Sequence, residues 1–103
     1  MELEAKLIKV DGTITDIKPE NGTYFQLEEL YKLLNISTVQ MVPLRAKGKP
    51  KLIALCDEEG KMKDGWADKI NVNASDVMNE YWGHEHGDYF VGDVIICSLE
   101  YFI

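Results

Sequence analysis

The stretch "STVQMVPLRAKGKPKLIALC", residues 37–56, decides the fold class. "STVQMVPLRA" carries the β-branched and apolar residues of a strand. Pro43 within it removes a backbone donor, which points to an edge strand or a bulge. "KLIALC" is a short unbroken apolar run, the signature of a buried strand. Gly48 and Pro50 punctuate the connection between the two. So short a link joins strands only antiparallel, because a parallel pair needs a long crossover. A sheet with antiparallel neighbours is therefore expected at the centre of the chain.

Working outward, "ELEAKLIKV" (2–10) alternates Leu3, Ala5 and Leu7 with charged residues, the period-2 pattern of a half-buried strand. Asp11–Gly12 reads as a hairpin turn, because both residue types tolerate positive φ. "TITDIK" returns as a second strand and Pro19 ends it. "LEELYKLLN" then places Leu27, Leu30, Tyr31 and Leu34 at i, i+3, i+4 and i+7, one face of a helix. Glu28 and Glu29 complement its positive end, and Asn35 is its stop. "NASDVMNEYW" reads as a second helix. Asn73 is the candidate cap, and Ala74, Val77, Met78 and Tyr81 form its apolar face. "YFVGDVIICSLEYF" is a final strand, with a bulge or turn at Gly92–Asp93.

The expected fold is thus a single α+β domain over residues 1–103 in the order β-β-α-β-β-α-β. Its sheet is mostly antiparallel, with both helices on one face. The length of 103 residues is that of one domain able to bury a core. An odd number of strands leaves edges that can pair between chains, so a homodimer is an expectation.

Charge bounds the function. Eighteen acids against 11 bases leave a net charge of −7. That argues against direct nucleic-acid binding, which depends on cations neutralising phosphates. It permits solubility through self-repulsion, or a surface whose carboxylates mimic nucleic acid. "RAKGKPK" (45–51) is the local exception, either a solvated turn or a patch for an anionic ligand centred on Arg45. No apolar run approaches the roughly 18 residues of a membrane span, and no signal peptide is evident. A soluble cytoplasmic protein, with no membrane partner, is expected. Cys56 and Cys97 stand in apolar runs, where reduced, buried thiols are the expectation over a disulfide.

The chemistry-bearing motifs are few. There is no G-x-S-x-G, phosphate-cradling loop, C-x-x-C or H-E-x-x-H. "DEEGKMKDG" (57–65) reads as a polar turn, since a calcium loop needs a longer ladder of oxygen ligands. "WGHEHGDYF" (82–90) holds both histidines. On extended backbone His84 and His86 share a face, so both can approach one ion. Zinc then requires a third and usually a fourth ligand. The alternative is a polar connector from helix to strand. Trp66, Tyr81, Trp82, Tyr89 and Phe90 gather in the second half of the chain. They read as core and rim packing, or as a ring-lined pocket to which Asn71 and Asn73 would offer hydrogen bonds.

Three segments, "DEEGK" (57–61), "NVNAS" (71–75) and "VGDVIIC" (91–97), preceded by "FQLEELYKLL" and "VQMVPL", resemble the family catalogued as domain of unknown function 3846. The resemblance runs from about Leu3 to Cys97. It departs where Asn35–Ile36 replaces the family's frequent Gly-Gly and where Ser75 stands for its usual Thr. "WGHEHG" falls where the family varies in length and content. The resemblance implies a small phage or mobile-element accessory protein. Such proteins often counter host defence or modulate host factors. The expected function is a non-enzymatic binding module without a cofactor, which sequesters a small nucleotide-like ligand or docks on a host protein. The expected ligand residues are Arg45, Asn71, Asn73 and Trp82. An acidic nucleic-acid mimic, or a metal-dependent hydrolase built on His84 and His86, are the alternatives.

Overall fold

A computed structural model describes residues 5–44, 48, 51–62, 64–82 and 89–101, with the side chains of Lys61 and Trp82 excepted. The chain forms β1 (Ala5–Ile8), β2 (Ile14–Asp16), α1 (Leu27–Leu34), β3 (Val39–Leu44), β4 (Leu52–Asp57), β5 (Ile70–Asn71), α2 (Val72–Trp82), β6 (Phe90–Val91) and β7 (Val94–Ser98). The α+β class and the expected order hold. Two strands of two residues, β5 and β6, are added and pair with each other.

The main sheet has the order β2-β1-β7-β4-β3, and every neighbouring pair is antiparallel. β7 thus sits in the middle, between the first strand and the central hairpin. β3 lies at an edge, where Pro43 can omit its donor without breaking an interior ladder. The β1–β2 turn is closed by Lys9 N–H donating to Thr13 O and Gly12 N–H donating to Lys9 O. Gly12 has positive φ and Asp11 does not, so the loop is a three-residue turn rather than the two-residue one the Asp-Gly pair suggested. Thr13 hydrogen-bonds the Asp11 carboxylate and holds its pKa below the ordinary value.

The expectation that both helices share one face is corrected. Ile53, Leu55, Ile95 and Cys97 point to one side and form a core with Leu30 and Leu34 of α1. Ala54, Cys56, Val94 and Ile96 point to the other and pack with Ala74 and Met78 of α2. The physical reason lies in β4 and β7, which are apolar on both faces. A strand without polar alternation needs cover on both sides, and one helix supplies each.

α1 ends at Asn35, which adopts the left-handed conformation with φ 54°. Its backbone N–H donates to Tyr31 O, so the predicted stop holds. The apolar stripe is rotated from the expected one. Leu30 and Leu34 are buried, Leu33 packs partly against the core, and Leu27 is 52% exposed. Glu29, expected only to complement the dipole, also accepts a hydrogen bond from Glu20 N–H at 3.0 Å. In α2 the expected face holds, with Ala74 and Met78 buried and Val77 and Tyr81 packed beside them.

Cys56 and Cys97 are both buried and free. They belong to opposite faces of the sheet, since Cys97 pairs with Ile53 rather than with Cys56. Burial pushes the Cys97 thiol up to about 12. No helix among the described residues is long and apolar enough to cross a membrane.

Candidate ligand-binding cleft

Asn71 organises the end of the fold where the two layers meet. It is fully buried, and its Nδ2 donates to Ile8 O at 2.8 Å and to Gly92 O at 3.0 Å. Its Oδ1 accepts from Ala74 N–H at 3.1 Å. Asn71, immediately before the first helical residue, is therefore the cap of α2, and the expected cap Asn73 is not. The Ser75 hydroxyl donates to Asn71 O and accepts from Phe90 N–H. Asp93 Oδ1 accepts from Val10 N–H at 3.0 Å. Together these bonds tie β1, α2, β6 and the turn before β7 into one knot. Of the residues quoted for the family resemblance, Asn71, Ala74, Gly92 and Asp93 belong to this knot, as does Ser75, which stands where that family usually has Thr.

The knot fixes the short β5–β6 ladder just beyond the end of β4. Gly92 makes the turn from β6 to β7 with φ 86°, a conformation that a side chain would strain. Gly60 lies so close to β6 that an added Cβ would stand 3.1 Å from Val91 O and 3.3 Å from Val91 Cβ. Only glycine lets the backbone at residue 60 approach β6 that closely.

Two clefts open on either side of this ladder, and both are bordered by Asp57 and Val91. The first, of about 300 Å³, lies on the α2 side. Its inner lining is buried Cys56, Met78 and Phe90, with Val42 beside them and Tyr89 and Glu58 further out. The second, of about 350 Å³, is bounded by the carboxyl end of α1, the hairpin residue Val10, Asp57, Gly60 and the Gly92–Asp93 turn. Trp66, Asp64 and Lys69 border it. The rings of Trp66 and Tyr89 stack at 5.9 Å with an interplanar angle of 17°. Trp66 borders one cleft and Tyr89 the other, so the stacked pair spans the ridge between them.

The expected ligand residues fall elsewhere. Asn71 is corrected from a ligand donor to a structural one, because both its amide hydrogens are engaged in the interior. Asn73 is exposed on the first turn of α2 near Gly12, and borders neither cleft. Trp82 ends α2, and its side chain lies outside the described residues, as do Arg45, His84 and His86. Among the described residues, no group of three or more His, Cys, Asp or Glu is placed to hold a metal ion. The aromatic grouping signalled Trp66 and Tyr89. Asp57, Asp64, Lys69 and Asp93 were missed, because they come from separate turns that only the knot brings together.

No family model, curated protein or solved structure matches the chain. The resemblance to the family of unknown function therefore rests on the residues quoted for it.

Proposed function

We propose that the protein is a non-enzymatic binding module working at the paired clefts around Asp57 and Val91. The observation that supports this most is the Trp66–Tyr89 stack, which leaves Trp66 about a third exposed (37%) beside a concave surface. Small-ligand sites are concave, with aromatic and apolar walls and a few convergent polar groups. The clefts have that composition. Their acids offer hydrogen-bond acceptors, while neither described thiol suits nucleophilic catalysis. Cys97 is buried with a raised pKa, and a reactive thiolate needs an exposed, electropositive setting.

Within this reading the protein serves as an accessory factor of phage or mobile-element type, acting in the host cytoplasm by sequestering a small molecule. The quoted family-like segments support that context. The nucleic-acid mimic is less well supported. Exposed Glu28 lies on α1 and exposed Asp76 and Glu80 on α2, so acids stand on both sides of the sheet rather than on one.

The test is thermal melting against a panel of nucleotides, amino acids and amines. A ligand at a hundred times its Kd adds about 2.7 kcal/mol to stability, which moves the melting temperature by several degrees. A panel in which no compound moves it contradicts the small-ligand reading.

A further inference from the structure

The second cleft, like the first, is bordered by more acids than cations among the described residues, but it joins them to exposed Trp66. Among the described side chains, Asp57, Asp64 and Asp93 border it against Lys69. These residues come from four different places: the end of β4, the turn at 64–65, the 3-10 turn Trp66–Lys69, and the turn before β7. Leu34, Asn35 and Ile36 also border the cleft, so the carboxyl end of α1 faces it. That end of a helix carries the negative pole of the backbone dipole. Fixed dipole and side chains thus bias the space the same way. Trp66 adds an aromatic surface, held in place by the parallel ring of Tyr89. Aromatic faces attract cations, and flat cations in particular can stack on them.

We infer that the ligand of the second cleft is a small flat organic cation, of the amidinium or guanidinium class, stacked on Trp66 with its charge toward Asp64 and Asp93. This rests on the binding-module reading and changes its ligand class, since the nucleotide-like anion of the sequence expectation meets the wrong sign of field here. Asp93 accepts from Val10 N–H through Oδ1, and its carboxylate has a second oxygen for the ligand. Asp64 is exposed on its turn and acts by proximity. Lys69 opposes the cation and sets the ceiling on affinity.

The experiment is calorimetric and NMR titration of the full chain with benzamidine, benzamide and benzoate, which share one shape and differ in charge. AMP is added as a nucleotide probe. Benzamidine is expected to bind at least about fivefold more tightly than benzamide, and benzoate not to bind. Asp64→Asn should weaken benzamidine about threefold, and Lys69→Gln should strengthen it by a similar factor. Trp66→Ala should weaken it about fivefold. Because Trp66→Ala removes a stacking partner, the two charge variants on exposed positions decide the matter if it misfolds. Benzoate or AMP binding as tightly as benzamidine overturns the cation inference and leaves the binding module standing. If none of these probes binds and no panel compound moves the melting temperature, both readings fall.

Discussion

The side-chain amide of Asn71 donates to the backbone carbonyl of Ile8 at 2.8 Å, across 63 residues of sequence. One residue thereby joins the first strand, the second helix and the turn into the last strand. Asn71→Ala leaves the Ile8 and Gly92 carbonyls and the Ala74 N–H without their partner. Unsatisfied buried groups cost about 1–3 kcal/mol each, and loss of a cap costs about 1 kcal/mol. A loss of about 4 kcal/mol is expected in urea denaturation. Asn73→Ala, at the exposed neighbouring position, should change stability by less than about 0.5 kcal/mol. Equal effects at the two positions would contradict the assignment of the cap.

The separation of the helices onto opposite faces predicts additivity. Leu30→Val removes packing beneath α1, and Met78→Val removes packing beneath α2. Each should cost about 1.5 kcal/mol. The double variant should lose the sum within about 0.5 kcal/mol, as sites without shared partners do. A coupling energy above about 1 kcal/mol would mean that the two side chains share one core.

Much of this architecture was legible in the sequence. The central hairpin, the Asn35 stop and the α2 face follow from local rules, because turn chemistry and hydrophobic period act over a few residues. The sidedness of the helices was misread as one shared face, although the unalternated "LIALC" and "VIIC" carry residues that must be covered on both faces. The roles of Asn71 and Asn73 were not legible. They stand two residues apart with the same chemistry, and only the docking of β1 and the Gly92 turn decides which amide is buried. The clefts were illegible for the same reason. Asp57, Asp64 and Asp93 are unremarkable turn residues until the β5–β6 ladder gathers them.

Gly60→Ala tests the close approach that shapes both clefts. Its new Cβ would meet the backbone oxygen of Val91 at 3.1 Å, an atom that cannot rotate away. Overpacking of this kind costs about 1–3 kcal/mol. The crosspeaks of Trp66 and Tyr89 should also shift in the NMR spectrum, because the backbone at residue 60 must move off β6. A variant as stable as the parent, with those signals unmoved, would contradict the approach.

The Cys97 thiol predicts an alkaline loss of stability. Its folded pKa is pushed up by burial from 9.0 to about 12. The unfolded chain releases the proton first, so stability is intact below pH 9 and falls as pH rises between those two values. Urea midpoints at pH 8, 9 and 10 should decline more steeply in the parent than in Cys97→Ala. Parallel declines would show that Cys97 is not buried as a thiol. Under native conditions Cys97 should resist alkylation, and unfolding should release two free thiols.

The most direct test of the central claim is an amide chemical-shift map recorded with benzamidine on the full-length chain. The account predicts that the perturbed signals gather at Asp57, Asp64, Trp66, Lys69 and the Val91–Asp93 turn, with β2 and the exposed face of α1 unchanged. A saturable map centred on any other surface, or no perturbation at millimolar ligand, would contradict it.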